Sequence, residues 1–258
     1  MARESWAFGL SDQGRIRKSN EDAFVCVEEL RLFAVADGMG GHKAGEVASS
    51  LAIDAIVGFI TRSVDGDDYS WPYGIDPEAS FDGNRLRTAI KLANRRVFRA
   101  AEEHDDYTGM GTTVVAVLMT ADTLIVGHVG DSRLYILAND ELRQITTDDS
   151  WAATMLVHES GSERATIAGH PMRNVLTNVL GARDQVDIHL QEFPRRRGDL
   201  LLLCSDGLHG PLEIETIARI VAGNTELSRM AQELFDAALQ QGGRDNVTVV
   251  LVDCDGVA

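Results

Sequence analysis

Apolar runs of strand length follow one another along this chain, and helical periodicity is confined to separate stretches. That pattern limits the fold more than any other feature. The strand-like runs lie at 23–27, 32–36, 113–119, 123–129, 134–137, 200–204 and 247–252. Residues 44–60, 84–102 and 226–239 instead repeat apolar side chains every three to four positions, which gathers them on one face of an α-helix. Strands succeeding strands, with helices in blocks, predict an α+β protein with antiparallel sheets and exclude alternating βαβ units. The stretches 119–123 and 130–133 are short enough for hairpin links. No repeat or Pro/Ser-rich linker divides the chain, so 1–258 reads as one domain.

The ends of the apolar runs carry the chemistry. Asp37 follows 32–36 and precedes Gly38; Asp131 follows 126–130; Asp206 follows 200–205; Asp245 precedes 247–252; Asp22, with Glu21 beside it, opens 23–27. A strand end is a rigid platform, and a glycine next to it lets backbone and ligand approach closely. Taken singly, each Asp is more simply a turn residue, since Asp-Gly and Gly-Asp are ordinary turn chemistry. Together, if they meet at one end of a sheet, they require a cation, because like carboxylates do not share a site fully ionised without one. Oxygen ligands with no converging His/Cys set favour Mg²⁺ or Mn²⁺ over Zn²⁺.

The net charge is −16, which argues against nucleic acid or an anionic membrane as partner. The N-terminus lacks a secretory signal, and the apolar windows are short of a membrane span, so a soluble, cytoplasmic chain is expected. Cys26, Cys204 and Cys254 sit in apolar runs with no Cys-x-x-Cys spacing and read as reduced, buried thiols. Two stretches lack periodicity. One, 64–82, carries six acidic residues and no Lys or Arg and reads as an acidic surface loop; the other, 148–173, reads as a flap.

Six stretches in order carry a family pattern. They are Ser11-Asp-Gln-Gly14 with Arg17-Lys-Ser-Asn-Glu-Asp22; Val35-Ala-Asp-Gly-Met-Gly-Gly-His42 with Ala44-Gly-Glu46; Gly109-Met-Gly-Thr-Thr113; Val129-Gly-Asp-Ser-Arg133; Leu203-Cys-Ser-Asp-Gly-Leu208; and Asp245-Asn-Val-Thr248. With them the chain resembles the metal-dependent protein Ser/Thr phosphatases, the PPM or type 2C family, and within it the short bacterial members.

The resemblance implies a four-layer α-β-β-α sandwich with a centre of two Mn²⁺ or Mg²⁺ ions in a cleft at one end of the sheets. By motif position, Asp37 bridges the two ions and the Gly38 carbonyl is a further ligand. Asp206 and Asp245 bind the first ion, while Glu21 and Asp22 face the second, directly or through water. Asp131 and Asp206 match a third, weaker site. Arg17 matches the phosphate-binding arginine, whose planar fork Lys18 could not imitate. Water activated between the ions attacks phosphorus, with no covalent phosphoenzyme. Met39 stands where eukaryotic relatives carry a histidine. His42 is then a candidate general acid, with metal-bound water as another proton source and a turn histidine as the equal alternative reading of the residue. Asp149 stands where relatives often have a histidine, and His158 and His170 lie in the flap. The implied partners are phosphoSer/phosphoThr proteins and a Ser/Thr kinase, and a monomer is expected.

Other phosphate chemistries fail on spacing. No cysteine is followed six residues later by arginine, and no Gly-x4-Gly-Lys-Ser/Thr occurs, so a cysteine phosphatase and a P-loop enzyme are excluded. A same-fold hydrolase of small phosphate esters and an inactive phosphoprotein-binding module are the alternatives. The presence together of Arg17, Asp22, Asp37, Asp206 and Asp245 speaks against the second.

Overall fold

Successive residues of the central strands are apolar on both faces, and the chain buries both. A computed structural model of the protein describes residues 5–41, 43–64, 71–156, 167, 170–223 and 226–256. Its strands are β1 (Ala7–Asp12), β2 (Asp22–Val27), β3 (Leu32–Met39), β4 (Gly111–Thr112), β5 (Val114–Met119), β6 (Thr123–Val129), β7 (Arg133–Ala138), β8 (Glu141–Gln144), β9 (His189–Pro194), β10 (Leu200–Cys204) and β11 (Val247–Asp253). Its helices are α1 (Ala44–Arg62), α2 (Phe81–Glu103), α3 (Trp151–Leu156), α4 (Asp206–His209), α5 (Ile214–Ala222) and α6 (Leu227–Gln240).

One sheet has the order β1-β11-β10-β7-β8 and the other β2-β3-β5-β6-β9, with β4 pairing β3. Neighbouring strands are antiparallel throughout. The two-residue period of β3 decides the layering. Phe33 and Val35 join Val115, Val117, Leu201, Leu203, Val250 and Val252 in the core between the sheets. Leu32, Ala34 and Ala36 point the other way, onto Ala48, Ala52 and Ile56 of α1 and Leu86 and Ile90 of α2. On the far sheet Leu202 and Cys204 pack under Met230, Ala231 and Leu234 of α6 and Ile217 of α5. The expected α-β-β-α sandwich is therefore the fold.

Helix α1 is 19 residues long and, by length and composition alone, apolar enough to cross a membrane. Its apolar windows are thus longer than the sequence reading allowed. Ala48, Ala52, Ile56 and Ile60 are nonetheless buried against β3 and α2, as in a core helix. Helix α2 begins at Ser80, whose hydroxyl caps Gly83 N at 2.9 Å. All three cysteines are free thiols, two of them buried, and burial pushes the Cys26 and Cys254 thiols up to about 12.

Two expectations need correction. The link 130–132 is not a hairpin, because β6 and β7 belong to different sheets. It crosses the sandwich, with Gly130 at φ 97°, a left-handed turn that disfavours a side chain. Asp37 does not follow its strand but lies within it, since backbone pairing continues through Gly38↔Thr112 and Met39↔Gly111 whatever the side chains. Of the acidic stretch 64–82, expected as a surface loop, residues 81 and 82 already belong to α2. Residues 65–70 lie outside the described part. Ser63, at the end of α1 away from Gly45, binds Arg85, which places the start of α2 at the opposite end of the molecule. There Asp76 pairs with Arg87 and Asp82 with Arg85.

Candidate metal centre

The crossing topology gathers the strand-end aspartates. The C-terminal end of β3, the β6–β7 link, the start of α4 after β10 and the residues before β11 all meet at one end of the sandwich. Asp37, Gly38, Asp131, Asp206, Asp245, Glu21 and Arg17 line a single cleft of about 200 Å³ there. A larger cavity of about 510 Å³ lies between α1 and α2, but it holds no such group of carboxylates. Chemistry, not size, selects the site.

The backbone that carries these carboxylates, and the Asp22 carboxylate itself, are held from behind. Asp37 N donates to Thr113 Oγ1 at 3.0 Å, and Thr112 Oγ1 and Thr113 N donate to the Asp37 carbonyl, each at 2.9 Å. Thr113 Oγ1 in turn lies 2.7 Å from Ser132 Oγ, tying Asp37 to the link that carries Asp131. Asp22 sits directly across β2–β3 from Asp37. Its Oδ2 accepts from Ser205 Oγ at 2.7 Å and Thr248 Oγ1 at 2.6 Å, while Oδ1 is buried without a partner. Asn246 Oδ1 accepts from Glu21 N at 2.8 Å. Half-buried His209 donates through Nε2 to the Asp131 carbonyl at 3.0 Å, and desolvation pulls its pKa down to about 4, so the ring is neutral near pH 7.

Electrostatics mark this as a site out of balance. Burial, then the charges of Asp22, Asp206, Asp131 and Asp245, hold the Asp37 carboxyl well above the usual carboxylate range. Burial and Asp206 push Asp131 up to about 7. Burial raises Asp22 to about 6 against its two hydroxyl donors, and burial with Asp245 raises Asp206. The side chains of Asp206 and Asp37 lie within hydrogen-bonding reach of each other, which without a cation requires a shared proton. One guanidinium opposes this charge from the cleft wall: Arg17 Nη2 donates to Asp245 Oδ2 at 2.8 Å. Among the described residues no three Asp, Glu, His or Cys side chains are already closed around one point; the carboxylates ring the cleft. An orphaned buried Asp22 oxygen and a ring of oxygen donors short of positive charge fit hard divalent cations.

Glycine is required where α1 meets this floor. A Cβ on Gly38 would stand 2.0 Å from the Gly45 carbonyl oxygen and 2.6 Å from that of Glu21. Gly38→Ala is expected to destabilise the fold by about 1–3 kcal/mol, visible as a lower thermal midpoint; an unchanged midpoint would show that α1 can withdraw freely.

His42 and His158 lie outside the described residues. His170 stacks on Trp151 at 4.4 Å between ring centroids and does not line the cleft. Two features went unread in the sequence. Asn174 and Leu176, just after the flap, line the cleft. Asp149 proves to be an anchor: its carboxylate accepts from Gly130 N at 3.0 Å, Asn178 Nδ2 at 2.8 Å and His189 Nε2 at 2.8 Å. The stretch after the flap is thereby tied to the end of β6. The only sequence sign of this role was the departure from histidine at Asp149.

A family model described as "Protein phosphatase 2C" matches residues 15–251. The chain belongs to the protein phosphatase 2C family. It is 36% identical over 252 residues to the serine/threonine phosphatase stp of Listeria monocytogenes, covering 95% of this chain and 94% of that protein. To the serine/threonine protein phosphatase PstP of Mycobacterium tuberculosis it is 38% identical over 243 residues, which is 94% of this chain and 44% of that protein; the chain thus spans less than half of that relative's length. Among solved structures, the catalytic domain of PstP in complex with two manganese ions superposes with a TM-score of 0.78 at 36% identity, over 96% of both chains.

Proposed function

We propose that this protein phosphatase 2C chain, read as one domain over residues 1–258, hydrolyses phosphoserine and phosphothreonine in proteins with two bound Mn²⁺ or Mg²⁺ ions. The observation that carries this is the cleft itself: several carboxylates from both sheets face one another beside a single half-exposed arginine. Asp37 sits at its centre, within reach of Asp206 and beside Gly38, so it is the natural bridge between ions. Asp206, Asp245 and the Gly38 carbonyl complete one side, Glu21 and Asp22 support the other, and Asp131 with Asp206 offers a weaker third position. Bound divalent cations supply activated water and positive charge toward the phosphoryl oxygens.

The chain's own groups do the rest. Arg17 commits Nη2 to Asp245, leaving the other edge of its planar fork to grip phosphate oxygens and hold the ester in line. Met39, Leu176 and Asn174 border the cleft and limit water around the phosphoryl group. We assign the leaving-oxygen proton to His42 on its place after the cleft-lining stretch Gly38–Gly40. A cytoplasmic phosphoprotein, modified by a Ser/Thr kinase, is the substrate class this reading implies.

The test is turnover. With Mn²⁺ the protein is expected to release phosphate from phosphoSer and phosphoThr peptides, with preference over small phosphate esters, and excess EDTA is expected to abolish it. Full activity in chelator would sink the mechanism; turnover of small esters alone would move the substrate class. Arg17→Ala is expected to raise KM for the phosphopeptide by roughly 10-fold or more, the scale of a lost charge-assisted contact, and unchanged steady-state kinetics would remove Arg17 from the site.

A further inference from the structure

Apart from the cleft, a groove of about 510 Å³ runs between the outer faces of α1 and α2. Its floor is apolar, from Leu51 and Ala55 of α1 and Leu92 and Ala100 of α2. Four arginines border it: Arg62 at the end of α1, and Arg95, Arg96 and Arg99 along α2, all exposed. None of the four makes an ion pair or side-chain hydrogen bond among the described residues. Two to three turns earlier on the same helix, Arg85 and Arg87 are paired with Asp82 and Asp76. Asp54 and Glu103 also line the groove but leave these guanidiniums unpaired.

This is unusual charge placement for a chain with 40 acidic and 24 basic residues, where neutralising partners are plentiful. Arg95 and Arg99 stand at i,i+4, where like charges cost helix stability. A groove that tolerates this repulsion over an apolar floor has the complementary form of an acidic amphipathic segment: carboxylates for the fork-shaped donors, apolar side chains for the floor. A nucleic acid fits less well, because the surrounding net charge of −16 repels an extended polyanion.

We propose that the α1–α2 groove docks an acidic, amphipathic peptide segment of a partner protein. It shares no residue with the metal cleft, so it holds or fails independently of the catalytic reading. Docking there would hold a partner on the helical face while leaving the cleft open.

The probe is a fluorescently labelled peptide with Glu and Leu at helical spacing, followed by anisotropy with the full chain. The matched control has Gln for every Glu. Tighter binding of the Glu peptide by about 10-fold, weakening with salt, is expected. Arg95→Glu with Arg99→Glu should remove that preference. Gly58→Leu should block the floor: a Cβ there meets only Arg62 Nη1 at 3.3 Å, so the site admits a side chain, and loss of a mid-helix glycine does not weaken α1. Asp37→Asn should bind the peptide as the unmodified protein does. Equal binding of the Glu and Gln peptides, or unchanged binding by both groove variants, overturns the proposal. A short oligonucleotide that binds as tightly as the peptide, with the same sensitivity to the variants, also overturns it.

Discussion

Asp37→Asn is expected to cut Mn²⁺-dependent phosphopeptide turnover by far more than the ~10–100-fold typical of losing a group behind a metal ligand. The same substitution is expected to raise the thermal midpoint of the chelated protein. Both follow from one fact. Asp37 carries the most crowded charge in the cleft, facing Asp22, Asp206, Asp131 and Asp245. An amide of the same shape removes a negative charge that a pair of cations needs. In the cation-free protein it removes a repulsion that folding has to bear. Asp206→Asn should act in the same two directions, because Asp206 faces Asp37 and Asp245. Activity assays with Mn²⁺ and unfolding scans in EDTA read the two effects separately. Lower activity with a lower midpoint would mean only a damaged fold. Retained turnover in Asp37→Asn would remove it from the centre.

The parts of the fold most visible in the sequence are those buried on both faces, although the half-buried edge strand β2 was read as well. Strands β3, β5, β6, β10 and β11 lie inside their sheets and read as continuous apolar runs, because one face meets the other sheet and the opposite face meets helices. The strands missed were β1, β8 and β9, each a sheet edge, and the two-residue β4 that pairs β3. An edge strand keeps polar residues, such as Ser11 and Asp12 in β1, Arg143 and Gln144 in β8, and Gln191 and Glu192 in β9, so the apolar signal is broken. Helix α5 escaped because nine residues give too few turns for a period to stand out.

The candidate site divides along the same line. Asp-Gly motifs at the ends of interior strands were legible, since both the run and its polar stop are local. Convergence was not, because it depends on the β6–β7 link crossing between sheets, and a three-residue link looks the same whether it turns back or crosses. The supporting groups were equally hidden. Thr113, Ser132, Ser205 and Thr248 are small hydroxyl residues with no pattern of their own, yet they fix where Asp37 and Asp22 point. Asp149 belongs with them: it acts through long-range hydrogen bonds to Asn178 and His189 that no spacing announces.

The chelated protein is expected to lose stability as pH rises from about 5 to 8, with Mn²⁺ restoring more at the upper end. Asp22 and Asp131 have folded-state pKa values pushed up to about 6 and about 7, against roughly 4 for an unperturbed carboxyl. The folded state therefore binds more protons than the unfolded chain across this window, so its stability is full below about 4 and falls as pH climbs through the folded values. Asp76 works oppositely: hydrogen bonding to the Glu78 amide and Arg87 lowers its pKa, but that stability is lost only at more acid pH. Cations compete with protons for the cleft oxygens, so Mn²⁺ binds weakly at pH 5 and strongly at pH 8, and its linkage to folding grows accordingly. At about 2–4 °C per kcal/mol for a chain of this size, the fall in the EDTA midpoint should amount to several degrees. Unfolding scans at pH 5, 6.5 and 8, with EDTA or with Mn²⁺, measure both arms. A midpoint in EDTA that rises with pH, or a Mn²⁺ increment larger at pH 5 than at pH 8, would show that the cleft carboxylates do not carry the strain assigned to them.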